Sequence, residues 1–123
     1  MTKTIKLGKI KDIINLENGK VFLKDALELS SCEISLNCVP KGFKLPFCHK
    51  HIQNEEIYII LKGTGIFTVD DRQIPVKEGS CIKISPSSKR TFETTEDEDF
   101  QFICVQAKKN SLEQCGLADA ELC

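Results

Sequence analysis

The chain has 123 residues, with 17 lysines and arginines against 18 aspartates and glutamates and a formal net charge of −1. That length suits one domain with its own core, and the lysines are scattered among acids, which excludes a basic stripe for nucleic acid or for an anionic membrane surface. No run approaches the roughly 18 consecutive apolar residues of a membrane span, and the opening "MTKTIKLGKIKD" lacks the apolar stretch of a secretory signal, so a cytoplasmic protein is expected.

From about residue 20 to residue 107 apolar and polar residues alternate with period two, and no stretch of useful length has helical periodicity. Strands are expected at 20–23, 31–39, 45–51, 56–62, 64–70, 73–76, 81–85, 90–94 and 99–107. Between them "VPKG", "LKGTG", "VDDRQ", "VKEGS", "ISPSSK" and "TTEDED" supply the glycine, proline, aspartate and serine that turns require. Many short strands at such spacing predict an all-β sandwich or barrel. The tail 108–123 reads differently. "NSLEQ" offers an N-cap, and Leu112, Cys115 and Leu122 sit at near-helical spacing, so a short C-terminal helix or a frayed tail is expected.

The second expected strand contains "CEISLNC", in which Cys32, Ile34, Leu36 and Cys38 share one face. Cysteines also stand at 48, 81, 104, 115 and 123. The total of seven is odd and no CxxC pair occurs, which excludes a zinc-ribbon spacing; reduced thiols packed as small core hydrophobes are expected.

Both histidines of the chain fall in "HKHIQNEE". Residues two apart in a strand point to one side, so His49 and His51 present their imidazoles together. If the chain turns at "IQN" and returns as the next strand, Glu56 comes back opposite them. Two imidazoles and a carboxylate form one face of a divalent-metal site, suited to iron, manganese, nickel or zinc. By the same parity Tyr58, Phe47, Phe92 and Cys104 line the enclosed space. Cys48 points away from His49, which argues against a Cys–His nucleophilic pair.

The stretch from Gly42 to Gly63 resembles the first motif of the cupins. It runs Gly42, six residues, His49-Lys50-His51, four residues, Glu56, "IYIILK", Gly63, and the six-residue gap selects Glu56 over Glu55 as the motif glutamate. The second cupin motif is degenerate. Gly79, the strand "SCIKIS" and Pro86 are in place, but Ser87 stands for the usual glycine, Arg90 for the histidine and Thr94 for the asparagine. The resemblance implies a double-stranded β-helix, a jelly-roll barrel over about residues 30–107 of a single domain covering 1–123, with the site in its mouth. It implies a homodimer as well, and Ile57, Ile59 and Leu61, facing opposite to Glu56, need cover from a second sheet or a subunit.

Arg90 leaves two readings open. A cation about 5 Å from a dication repels it by roughly 6–7 kcal/mol at an effective dielectric near 20. Either Arg90 holds an anionic ligand that also binds the metal, or it pairs with Glu56 directly in a metal-free pocket. The functions that follow are a binding module for a small anionic or oxygen-rich ligand and, alternatively, a metal-dependent dioxygenase, isomerase or lyase. The residues leave open whether the pocket performs chemistry.

Overall fold

A computed structural model describes residues 2–123, so Met1 lies outside the described residues. Eight strands, β1 (Lys20–Phe22), β2 (Glu33–Val39), β3 (Asn54–Lys62), β4 (Gly65–Val69), β5 (Arg72–Val76), β6 (Cys81–Ile84), β7 (Arg90–Thr94) and β8 (Phe100–Lys108), make two antiparallel sheets. One has the order β1-β2-β8-β3-β6 and the other β5-β4-β7, and the two face each other in the jelly-roll arrangement expected of a cupin.

Alternation along β3 builds the interior. Glu56, Tyr58 and Ile60 are buried while Ile57 and Ile59 are half-buried on the opposite side. Tyr58, Ile60, Phe67, Val76, Ile84, Phe100 and Phe102 form the core, with Phe92 packed against it. Its aromatic rings interlock: Phe67 stacks on Phe92 at 5.3 Å and meets Tyr58 edge-on at 4.8 Å. Such pairs add roughly 0.5–1.5 kcal/mol each beyond the area they bury. The β4–β5 hairpin turns at Asp70 and Asp71, both at positive φ as a two-residue hairpin with the native twist requires. There Asp70 Oδ1 accepts the Lys89 backbone N–H at 2.9 Å.

Three expectations need correction. Residues 45–51 are not a strand: only the isolated bridges Lys44↔Glu93 and His49↔Arg90 tie this segment to β7. Pro46 has no N–H to give a ladder, and the pairing lapses between the two anchors. On β2 the inward face is the reverse of that suggested by the apolar parity. Ser35 and Asn37 line the interior cavity, and Ile34 and Leu36 lie on the outer side in register with Val105 and Ile103. Cys38 is buried on that outer side beneath a 3-10 turn at Ile10–Asn15, where its thiol approaches the Lys11 carbonyl oxygen at 4.0 Å. Core packing thus accounts for Cys38 and Cys104, and Cys32 is half-buried, but Cys48, Cys81, Cys115 and Cys123 are exposed; all seven are free thiols.

The ends differ from the barrel. An N-terminal run of 3-10 turns and a four-residue helix α1 (Lys24–Leu27), for which the period-two pattern gave no sign, flanks β1. In the tail only a 3-10 turn at Gly116–Asp119 forms, with Leu112, Leu117 and Leu122 exposed. Gly116 at positive φ ends any helix before it can bury a face.

Gly63 and Gly79 share a φ of +88° but differ in surroundings. A Cβ at Gly63 would meet the Asp99 carbonyl oxygen at 2.7 Å, whereas at Gly79 nothing lies within 4 Å. We expect Gly79→Ala to cost about 1–2 kcal/mol from backbone conformation alone and Gly63→Ala about 3 kcal/mol or more. Urea denaturation midpoints measure both; equal losses would rule out the crowding against Asp99.

Candidate metal and anion centre

Glu56 reaches the interior from β3, between β8 and β6 of the five-stranded sheet, and its residue is 5% exposed. Five side chains converge on its carboxylate. Tyr58 donates its hydroxyl to Oε1 at 2.9 Å, Arg90 donates Nη1 to the same oxygen at 2.8 Å, and Cys104 donates its thiol to Oε2 at 3.5 Å. His51 Nε2 stands 3.3 Å from Oε2 and His49 Nε2 3.9 Å from Oε1. The alternation that turns Tyr58 to the same side as Glu56 also carries its ring into the aromatic core, so the hydroxyl is held rigidly against the carboxylate.

Arg90 is the largest fully buried side chain, 2% exposed. Besides Glu56 it donates Nη2 to the Ser85 carbonyl oxygen at 2.7 Å. That carbonyl belongs to the turn between β6 and β7, so the guanidinium is fixed at both ends. The structure therefore contains the direct Arg90–Glu56 pair, one of the two arrangements the sequence left open. Arg90 Nε is buried without a partner.

The imidazoles lie edge to face with centroids 5.1 Å apart. They come together without the strand geometry expected of them. His49 exchanges backbone hydrogen bonds with Arg90, N–H to O at 3.1 Å and 2.9 Å in the two directions, and the His51 N–H bonds the Pro86 oxygen at 2.8 Å. Donor atoms of His49, His51 and Glu56 all lie within 4.8 Å of one another. His49 Nδ1 and His51 Nε2 are buried and make no hydrogen bond among the described residues, although His51 Nε2 stands against Glu56 Oε2, which leaves imidazole nitrogen available to an ion. These residues fit a divalent metal by donor type and by those orphaned nitrogens. Glu56 Oε1 is already taken by two donors, so the capacity left for an ion is on Oε2.

Titration preferences agree with that division. Burial would raise the Glu56 carboxyl, but the Tyr58 hydrogen bond and the charges of His51 and Arg90 outweigh it and hold the group below its ordinary value. Desolvation lowers His49 below its usual range, aided by Arg90 and opposed by Glu56, which leaves it neutral and able to ligate. Burial pushes the Cys104 thiol up to about 12 and raises the Tyr58 phenol further, with the Glu56 charge adding to both. Both keep their protons at neutral pH.

The remaining residues assigned from sequence also meet here. Tyr58, Phe92, Phe47 and Cys104 line one cavity of about 1110 Å³ with His49, His51, Glu56 and Arg90. Phe47 is 58% exposed at its mouth, its ring 6.1 Å from that of His49. Sequence reasoning missed Ser35, Asn37, Gln106 and the N-terminal Ile14 and Leu16, all of which line the cavity. A signal for Ser35 and Asn37 existed in the polar positions of "CEISLNC"; none existed for the N-terminal segment.

Residues 36–106 match the family described as Cupin domain. The chain is 33% identical over 100 residues to an oxalate-binding protein from Thermotoga maritima, covering 76% of this chain and 82% of that one. It is 38% identical over 66 residues to an uncharacterized protein from Methanocaldococcus jannaschii, an alignment spanning about half that protein's length. Among solved structures, a cupin protein from Bacteroides fragilis superposes with a TM-score of 0.86 at 34% identity over 98% of this chain and 96% of that one. A predicted oxalate decarboxylase from T. maritima gives 0.64 at 26% identity, over 72% and 78%.

Replacing Glu56 by Gln keeps the shape but leaves Arg90 as a buried cation without its counter-charge. We expect a loss of about 3–5 kcal/mol in urea unfolding, and a smaller loss when Arg90→Met is added to it. A double variant less stable than Glu56→Gln would contradict the pairing.

Proposed function

Since the chain belongs to the cupin family, we propose that it binds a small anionic, oxygen-rich ligand in the barrel mouth together with a divalent metal on His49, His51 and Glu56. The observation that carries this is the charge balance of the centre. Arg90 and Glu56 cancel, His49 is shifted toward its neutral form, and two buried imidazole nitrogens make no hydrogen bond among the described residues. A dication added to this set leaves positive charge in a poorly hydrated pocket, which a carboxylate ligand neutralises. Arg90, Tyr58, Phe47 and Phe92 would then form the ligand side of the site. The relationship to an oxalate-binding protein supports the same ligand chemistry.

When bound, the metal supplies Lewis acidity and open coordination positions. This chain's own residues favour binding over catalysis. Tyr58 and Cys104 keep their protons and Glu56 is engaged by its donors, so none is free as a base.

The outer face of the five-stranded sheet supports a further proposal, a homodimer. Ile34, Val105 and Ile57 stand in one cross-strand row and Leu36, Ile103 and Ile59 in the next, an apolar patch that matches a second copy of itself. Light scattering is expected to give twice the 13.8 kDa chain, and Ile103→Lys to give the monomer. A wild-type monomer at micromolar concentration would refute it.

Metal content tests the centre. His51→Ala should strip most of the metal, because two protein ligands hold an ion weakly. Arg90→His removes the adjacent cation and adds a donor, so the metal-to-protein ratio from elemental analysis should rise above that of wild type. Titration with oxalate should show binding that requires manganese(II). A His51→Ala protein with undiminished metal would overturn the ligand assignment.

A further inference from the structure

The cavity is much larger than its charged centre. At about 1110 Å³ it matches the upper end of pockets that enclose drug-sized molecules, roughly 300–1,000 Å³, and a two-carbon dianion would leave most of it empty. The part beyond the centre is not uniformly apolar. Asn37 and Ser35 line it from β2 and are 1% and 7% exposed. Asn37 donates Nδ2 to Ser35 Oγ at 3.0 Å; its second N–H and its carbonyl oxygen have no partner among the described residues.

A buried amide with unused donor and acceptor costs stability, so its place on an inward face calls for a hydrogen-bonding occupant. Register gives the separation. Asn37 lies beside Phe102 on β8 and so in the row of Ile60 on β3, and Ser35, to which its amide leans, lies in the row of Cys104 and Tyr58, so the amide stands two strands across and at least two residues along from Glu56. At a strand spacing near 4.8 Å and a rise near 3.4 Å per residue, that is roughly 12 Å or more between the two. Phe43, Leu45, Phe92 and Phe102 supply apolar walls to the same cavity.

We infer that the ligand is an elongated carboxylic acid with a flat apolar body and a hydroxyl or carbonyl at its far end. This rests on the carboxylate reading above and extends it. The carboxylate occupies the Arg90 and histidine centre, the body lies against the phenylalanines, and the far group takes the free N–H and carbonyl of Asn37, which Ser35 orients. The site thereby selects by length and by a second polar group, neither of which oxalate offers.

Calorimetric titration of manganese-loaded wild type with para-hydroxyphenylpropionate, phenylpropionate and oxalate tests this. The hydroxyl should improve affinity about tenfold over phenylpropionate, as one net hydrogen bond does. In Asn37→Leu that advantage should vanish while phenylpropionate binds as before. Ser35→Ala, a milder change that keeps the amide, should reduce the advantage several-fold and serves if Asn37→Leu fails to fold. Oxalate binding with neither aryl acid bound would overturn the elongated ligand and leave the carboxylate reading standing. A hydroxyl advantage that persists in both variants would overturn the role of Asn37. Absence of binding by all three acids would overturn both readings.

Discussion

A carboxylate removed from water has to be neutralised by its neighbours, and Glu56 imposes that demand on the interior of this barrel. Arg90, Tyr58, Cys104 and His51 meet it from β7, β3, β8 and the segment before β3, so one buried charge draws together elements from both sheets. Breaking such a pair by removing one partner is far more costly than never having built it. Arg90 and Glu56 therefore hold each other in place whether or not an ion is bound. The same contact limits the ion, because Arg90 occupies one carboxylate oxygen and leaves the other facing His51 and the Cys104 thiol.

Spacing carried the central part of the site. The gap from Glu56 to Gly63 distinguished Glu56 from Glu55, and the structure buries Glu56 beside both histidines while Glu55 points to the other side of β3. The strand pattern was legible because turn residues punctuate it. Parity in "CEISLNC" misled, since it cannot tell an apolar outer face from a core face. Both sides of β2 are partly covered, one by the cavity wall and one by the N-terminal turn, and the polar residues fall on the inner side. Residues 45–51 misled for another reason. The histidines are set side by side by backbone hydrogen bonds to Arg90 and Pro86, long-range partners that no local pattern encodes.

The N-terminal region was the least legible because its order comes from packing alone. Ile13 is buried, and Ile14 and Leu16 close part of the cavity, but the segment reads as short 3-10 turns that no amphipathic period announces. Its contribution is to pocket volume and to the cover over Cys38. Without it the cavity would lose Ile14 and Leu16 from its lining.

The reciprocal backbone bonds between His49 and Arg90 also couple the mechanics of the site. The imidazole that would ligate an ion and the guanidinium that opposes it ride on the same bridge, so a rigid shift of β7 displaces both together. The spacing of His49 from the Arg90–Glu56 pair is thus set by the backbone of one bridge, and only side-chain torsions are left to vary it.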